Sequence, residues 1–392
     1  MMKVLYDYQA FLLQTHGGVT RCFAEIARHL PPDFSPEFAV VESDNIYLTE
    51  YGLAPEVKPL HMSRATFLGG VDAKWKEIAF NALNYVPGAG TPKTLNRKHA
   101  ITRLKSGDFD VFHPTFFDNY FLPYLNGRPY VLTIHDMISD VMPKDRNRSD
   151  RQIADRNRLV DGASHIVVVS ENTKRDVSRL LGVPDDKMTV VYHGGPDVDL
   201  DSVRREKPLV EGDYLLFVGS RSVAYKNFVP FVQQCASVLR DHPGLRIMCT
   251  GSAFSQEELD LFDSLGIGDR MMQRFASTSE LFNLYHNALG FVFPSAYEGF
   301  GLPILEAFAC GCPVLLNDAS CFPEIAGDAA LFFRMDELGE VVRSFVDAPA
   351  ALRAEMAARG FDRLHDFSWE SAGQKMADIY RKCATAPCRR GR

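Results

Sequence analysis

Residues 294–324 read P-S-A-Y-E-G-F-G-L-P-I-L-E-A-F-A-C-G-C-P-V-L-L-N-D-A-S-C-F-P-E. The run Gly290–Phe293 just before them is apolar and strand-like. A glycine-bearing loop, Gly299-Phe300-Gly301, follows it. A helix over Leu302–Ala309 comes next, with Pro303 in its first turn, where a missing N–H costs nothing. Val314–Leu316 then reads as another strand. Strand, glycine loop, helix and strand make the repeating unit of a parallel α/β sheet. Glycines let the backbone approach a ligand closely, and the free N–H groups of a helix start suit a phosphate. Glu298 lies in the loop and Glu306 in the helix, eight residues apart, so the two carboxylates have different neighbours. A carboxylate is well suited to accepting two hydrogen bonds from vicinal hydroxyls of a sugar or ribose.

The same alternation extends in both directions. Val4–Tyr6, Phe38–Val41, Val111–Phe112, Tyr130–Ile134 and Ile166–Val169 are short runs rich in β-branched and aromatic residues, and Val19–Leu30 has helical periodicity. Residues 196–212 are polar, charged and framed by prolines, as an interdomain linker is. Strands are then expected at Tyr214–Val218 and Arg246–Thr250, and amphipathic helices at Phe228–Leu239, Ser255–Leu265 and Ser279–Ala288. Further helices are expected at Glu337–Val346 and Pro349–Arg363, with a last one over Trp369–Cys383. A chain of 392 residues exceeds what one core usually serves. Two similar α/β domains in series follow, with ligand sites at the carboxyl ends of strands and in the cleft between domains.

Composition narrows the function. The formal net charge of −7 argues against a nucleic-acid binder. No apolar run reaches the roughly 18–20 residues needed to cross a bilayer. Asp7 interrupts the N-terminal apolar stretch where a signal peptide would be continuous. A cytoplasmic protein is expected. The eight cysteines are scattered, mostly in apolar segments, and read as buried free thiols rather than disulfides or a zinc site. No phosphate-binding G-x-x-x-x-G-K-[ST] loop and no G-x-S-x-G elbow is present.

The two glutamates, the Pro-Ser opening and the trailing P-V…P-E together resemble the donor-binding segment of family 4 retaining glycosyltransferases. That resemblance implies the GT-B fold, in which two Rossmann-like domains with parallel sheets face a central cleft. It implies a first domain over residues 1–200 that binds acceptor and a second over 201–368 that binds a nucleotide-sugar donor. Residues 369–392 then form a C-terminal helix and basic tail that return to the first domain. Other segments fall where the family puts them. Gly219, Arg221 and Lys226 follow the first strand of the second domain, and by resemblance the two cations grip the donor diphosphate. Gly17 and Gly18, beside His16, look like the N-terminal glycine loop bordering donor phosphates and acceptor. His135, followed by Asp136, is similar to an active-site histidine near the transferred sugar. Val169–Lys174 resembles a further family segment, with Ser170 read as a helix cap.

The resemblance implies hexose transfer with retention. Glu306 would hold the ribose, and the loop through Gly299, Phe300, Gly301 and Leu302 would hold the diphosphate with Arg221 and Lys226. Glu298 would orient the sugar, and His135 would face the transfer. No cofactor and no essential metal are expected, because two cations already stabilise a leaving diphosphate. Asp197-Val-Asp199 in the linker and Asp108-Phe-Asp110 before a strand resemble metal motifs but have no nucleotide loop around them. The partners expected are a nucleotide-sugar donor, GDP-mannose or a related sugar favoured, and a glycan or lipid-linked acceptor of surface-polysaccharide or lipopolysaccharide assembly. A UDP-hexose donor stays open, as do a nucleotide-sugar 2-epimerase and a non-catalytic binding subunit. Residues 51–105 carry nine Lys/Arg against three acids, a local +6, interleaved with aromatic and aliphatic residues. Residues 381–392 add five cations. Both suit a peripheral contact with an anionic membrane surface.

Overall fold

In the computed structural model of the chain, residues 1–63, 79–80, 82–84, 86, 88–142 and 149–385 are described. Twelve strands run through them: β1 (Met2–Tyr6), β2 (Phe34–Phe38), β3 (Val111–His113), β4 (Val131–Ile134), β5 (His165–Val168), β6 (Met188–Val190), β7 (Tyr214–Phe217), β8 (Arg246–Thr250), β9 (Met271–Arg274), β10 (Gly290–Phe293), β11 (Val314–Asn317) and β12 (Ala330–Phe333). All pair in parallel. The second half forms one sheet in the order β12-β11-β10-β7-β8-β9, the Rossmann order. The first half forms two three-stranded pieces, β2-β1-β3 and β4-β5-β6, joined through a Phe112–Tyr130 bridge. These are the two Rossmann-like domains of a GT-B protein.

The sheet edges depart from the sequence expectation. β2 lies at Phe34–Phe38, not at Phe38–Val41, and β6, β9 and β12 have no counterpart among the expected strands. All four are edge strands. An edge strand has one hydrogen-bonded neighbour and a solvated flank, so it need not read as an apolar run. β2 even tolerates Pro36, as only an edge does.

Residues 196–212 are not a plain linker. They hold a helix, Leu200–Arg205, whose first turn is capped by Asp199 accepting from the Ser202 N–H at 3.0 Å. The Leu209 N–H then bonds the Asn283 side chain at 3.1 Å. Asp199 is therefore a helix cap. The other acidic pair is structural too. The Lys3 ammonium bonds Asp108 at 2.6 Å, and its backbone N–H bonds Asp110 at 2.7 Å.

The last helix, Trp369–Thr385, packs on the first half and belongs to its core. The Tyr380 hydroxyl lies 2.8 Å from the Tyr6 hydroxyl and 2.7 Å from Nδ1 of buried His113. Gly373 is required where this helix crosses the Gly18–Arg28 helix, because a Cβ there would stand 2.1 Å from the His29 carbonyl oxygen. The seven cysteines among the described residues are buried and free. No helix of the described residues is long and apolar enough to cross a membrane.

Candidate active site

Two loops of the second half meet at the carboxyl ends of β7 and β10. The Ala296 N–H bonds the Tyr225 carbonyl at 2.7 Å, and the Asn227 amide bonds the Pro294 carbonyl at 2.9 Å. This stitching sets the Lys226 ammonium on the Glu298 carboxylate in a tight ion pair, each side chain about 15% exposed. The Ser320 hydroxyl holds the Glu298 backbone, donating to its carbonyl at 2.7 Å. Gly301 sits at φ +93°, a left-handed conformation that favours glycine, and turns the chain into the Leu302–Ala309 helix. No side chain caps that helix start. A cation, a carboxylate and a helix N-terminus thus share one corner, which suits a diphosphate bearing a sugar.

Arg221 does not join them. Its guanidinium is about 5% exposed and bonds Glu258 at 2.7 and 3.3 Å. It also donates to the carbonyls of Thr250, Ser252 and Ala253 at 3.3, 2.7 and 3.1 Å, and lies over the Phe254 ring. Nearly every donor of the group is used in bracing the loop after β8. Lys226 thus faces the corner, and Arg221 holds the loop beside it. Gly219, at φ +141°, carries the chain between β7 and this pair.

The first half meets this corner across the cleft. A Cβ at Gly18 would lie 3.2 Å from the Leu302 side chain, so the glycine loop abuts the helix start. Gly17 is extended and His16 exposed. Arg21, one turn on, reaches across and bonds the Glu306 carboxylate at 3.2 Å. Burial pushes the Glu306 pKa up, and Arg21 pulls it back. Gly299 lies directly against the His135 backbone, where a Cβ would stand 1.7 Å from the carbonyl oxygen. Ser170 caps the Glu171–Leu181 helix, as expected, and its hydroxyl also donates to the Gly299 carbonyl at 2.7 Å. The Glu324 carboxylate accepts from the Glu171 and Asn172 N–H groups at 2.6 and 3.0 Å. Tyr297 donates to Asp176 at 2.7 Å. The Glu298–Gly301 loop is therefore sutured to the first half on two sides.

His135 follows β4 as expected, edge-on to Phe23 at 5.6 Å. Asp136 serves its own turn, its carboxylate accepting from the Ile138 N–H at 3.1 Å. Phe300 is buried and packs on His193 at 4.7 Å. Sequence reading missed two residues here. Arg21 lies three residues after Gly18, in the Gly18–Arg28 helix, and only its cross-cleft partner reveals it. His193 follows β6, a three-residue edge strand absent from the expected strands, although the run His193-Gly194-Gly195 marks a tight passage. A Cβ at Gly194 would strike Trp369 at 2.5 Å. Part of the basic stretch, including Lys74, Trp75 and Lys76, and the tail's Arg389, Arg390 and Arg392 lie outside the described residues. Among the described cations of that stretch and tail, Arg103 pairs with Glu37, Arg97 with Asp118 and Arg381 with Asp33.

Two family models match end to end: Glycosyltransferase Family 4 over residues 16–198 and Glycosyl transferases group 1 over residues 200–363. The chain is 28% identical over 283 residues to O-antigen chain mannosyltransferase B of Escherichia coli, covering 67% of this chain and 72% of that one. It is 29% identical over 179 residues to O-antigen chain mannosyltransferase RfbU of Salmonella typhimurium, covering 45% and 49%. A solved structure of Alr3699/HepE from Anabaena, in complex with UDP and glucose, shares the fold with a TM-score of 0.70 at 17% identity, covering 97% of this chain and all of that one. With both halves matched in tandem on a GT-B fold, the chain belongs to glycosyltransferase family 4.

Proposed function

We propose that this chain transfers a hexose, with retained anomeric configuration and no essential metal, from a nucleoside-diphosphate sugar to a glycan or lipid-linked glycan of polysaccharide or lipopolysaccharide assembly. The observation that carries this is the Lys226–Glu298 pair beside the uncapped Leu302–Ala309 helix, facing the His135 strand end. Lys226 and the N-terminal end of the helix stabilise the diphosphate as charge grows on it. Glu298, held by its backbone, orients the sugar ring. Glu306 accepts from the ribose hydroxyls, which requires Arg21 to share or release it. The C1–phosphate bond breaks as the acceptor oxygen bonds C1 on the same face, and the leaving phosphate oxygen takes the acceptor proton. His135 flanks the transferred sugar, and closure of the two halves keeps water out.

A hollow of about 320 Å³ near the carboxyl ends of β1 and β3, lined by Tyr8, Phe116 and Phe117 and with Lys93 and Arg151 balanced by Asp118 and Asp155, supports an acceptor with sugar faces. The mannosyltransferase relatives favour GDP-mannose as donor. The UDP and glucose bound by the Anabaena neighbour keep a UDP-hexose as the second reading. Work at the cytoplasmic face of an anionic membrane completes the proposal. Anionic liposomes should retain the protein at low salt and release it at high salt, and no retention would remove that part.

Lys226→Ala tests the core of it. Donor turnover with acceptor present should fall on the order of 10²-fold or more. Near-normal turnover would overturn the assignment. Thermal-shift comparison of GDP, UDP, ADP and dTDP on the wild-type protein separates the two donor readings.

A further inference from the structure

Cys22 on the Gly18–Arg28 helix, His135 after β4 and His193 after β6 come from three separate elements. Even so, one donor atom from each lies within 4.8 Å of the other two. It is the one such grouping of three His, Cys, Asp or Glu side chains among the described residues. Cys22 and His193 are buried, and His135 is partly open.

A second observation points the same way. His193 is about 4% exposed, and its Nδ1 is buried with no hydrogen-bond partner. Buried ring nitrogens ordinarily find one. The ring is wedged between Phe300 at 4.7 Å and Trp369 at 5.5 Å, which fixes its orientation.

We propose that Cys22 Sγ and one ring nitrogen each of His135 and His193 bind a thiophilic divalent cation, Zn²⁺ above all, with a fourth position open to the cleft. The donors decide the class of ion. Thiolate and imidazole suit zinc, whereas magnesium and calcium require the oxygen ligands this trio lacks. Zinc ligands at 2.0–2.3 Å stand roughly 3.5 Å from each other, so the trio closes by about 1 Å. On binding, the S–H bond of Cys22 breaks, its proton goes to solvent, and the sulfur lone pair forms the metal bond. Each histidine ligates as a neutral ring, any proton on the ligating nitrogen going to solvent, and nothing is oxidised or reduced. Arg21 opposes the added charge, but its own charge is shared with Glu25 and Glu306. Because the site takes His135, occupancy blocks transfer; this consequence rests on the proposed function, and the binding itself does not.

The test is titration of the chelator-treated, full-length protein with Co²⁺. One equivalent should produce a thiolate-to-cobalt charge-transfer band, and Zn²⁺ should displace it. Cys22→Ser should abolish the band while the circular dichroism stays native. His193→Gln should weaken Zn²⁺ binding on the order of 10²-fold, at or above the loss typical of altering a ligand's surroundings. No band in the wild type, or the same band in Cys22→Ser, overturns the site. Zn²⁺ should also inhibit wild-type donor turnover, reversibly by chelator, at concentrations that leave Cys22→Ser uninhibited. A band without inhibition keeps the metal site and overturns the role given to His135.

Discussion

On the second-half wall of the cleft, charged groups come in pairs, Lys226 with Glu298 and Arg221 with Glu258. On the facing wall, the groups nearest His135 are Phe23, Cys22 and His193. One wall is charged and already oriented, and the other is largely apolar around His135, with Arg21 as the charge it sends across the gap. A polar site faced by a low-dielectric surface strengthens each charge it holds, because water no longer competes. The same contrast explains where ions cross the gap. Arg21 and Glu306 form a bond from one wall to the other, and under the proposed function ribose recognition and closure share those atoms.

The strongest way to break this arrangement is to push the walls apart. Gly299→Ala places a methyl 1.7 Å from the His135 carbonyl oxygen. The backbone must give way, and a displacement of about 1 Å at a reacting centre can cost on the order of 10²-fold in rate. Turnover should fall by that order, with a lowered thermal midpoint. Unchanged turnover would mean that the observed approach of the walls is not the working geometry.

A smaller effect sharpens the difference between the two cations. If Arg221 braces the loop after β8 rather than touching donor, Arg221→Ala and Glu258→Gln break the same brace. Both should lower turnover by comparable factors, roughly tenfold, below the loss expected for a direct charge contact. Should Arg221→Ala match Lys226→Ala while Glu258→Gln stays normal, Arg221 reaches the donor directly.

The mildest test concerns the largely apolar wall. Burial holds the His113 pKa down at about 3, against 6.5 for a free histidine. Between those values the unfolded chain binds a proton that the folded one refuses. The group's contribution to stability is therefore complete above pH 6.5 and is lost as pH falls toward 3. One such proton changes the slope of stability against pH by at most about 1.4 kcal/mol per unit. Denaturant unfolding of His113→Gln beside wild type, from pH 7 to pH 4, should show a shallower acid slope in the variant. Parallel slopes would mean that His113 is not held neutral by the fold.

How far the sequence reaches varies by element. Central strands such as β4 and β10 are buried on both faces, so their apolar runs declare them. The four edges do not: β2 and β9 mix polar residues into the run, and β6 and β12 are apolar but only three and four residues long. The Glu298–Glu306 segment was legible because backbone chemistry fixes it: a left-handed glycine, a proline in the first turn, and carboxylates placed around them. The contacts of Arg221 were not legible, for the opposite reason. Its position after β7 is local information, but which carboxylate takes its guanidinium depends on Glu258, 37 residues away on another loop.

By itself, then, the sequence determined the alternation of strands and helices, the loop that opens the Leu302–Ala309 helix, and the residue types gathered at the strand ends. Each depends on local spacing and on the limits of the backbone. Only the tertiary structure decided that Lys226 rather than Arg221 meets Glu298, that Arg21 crosses to Glu306, and that Cys22, His135 and His193 converge. Those are contacts between elements far apart in the chain. Their partners are set by how two sheets and a returning helix pack, and no pattern along the chain encodes that distance.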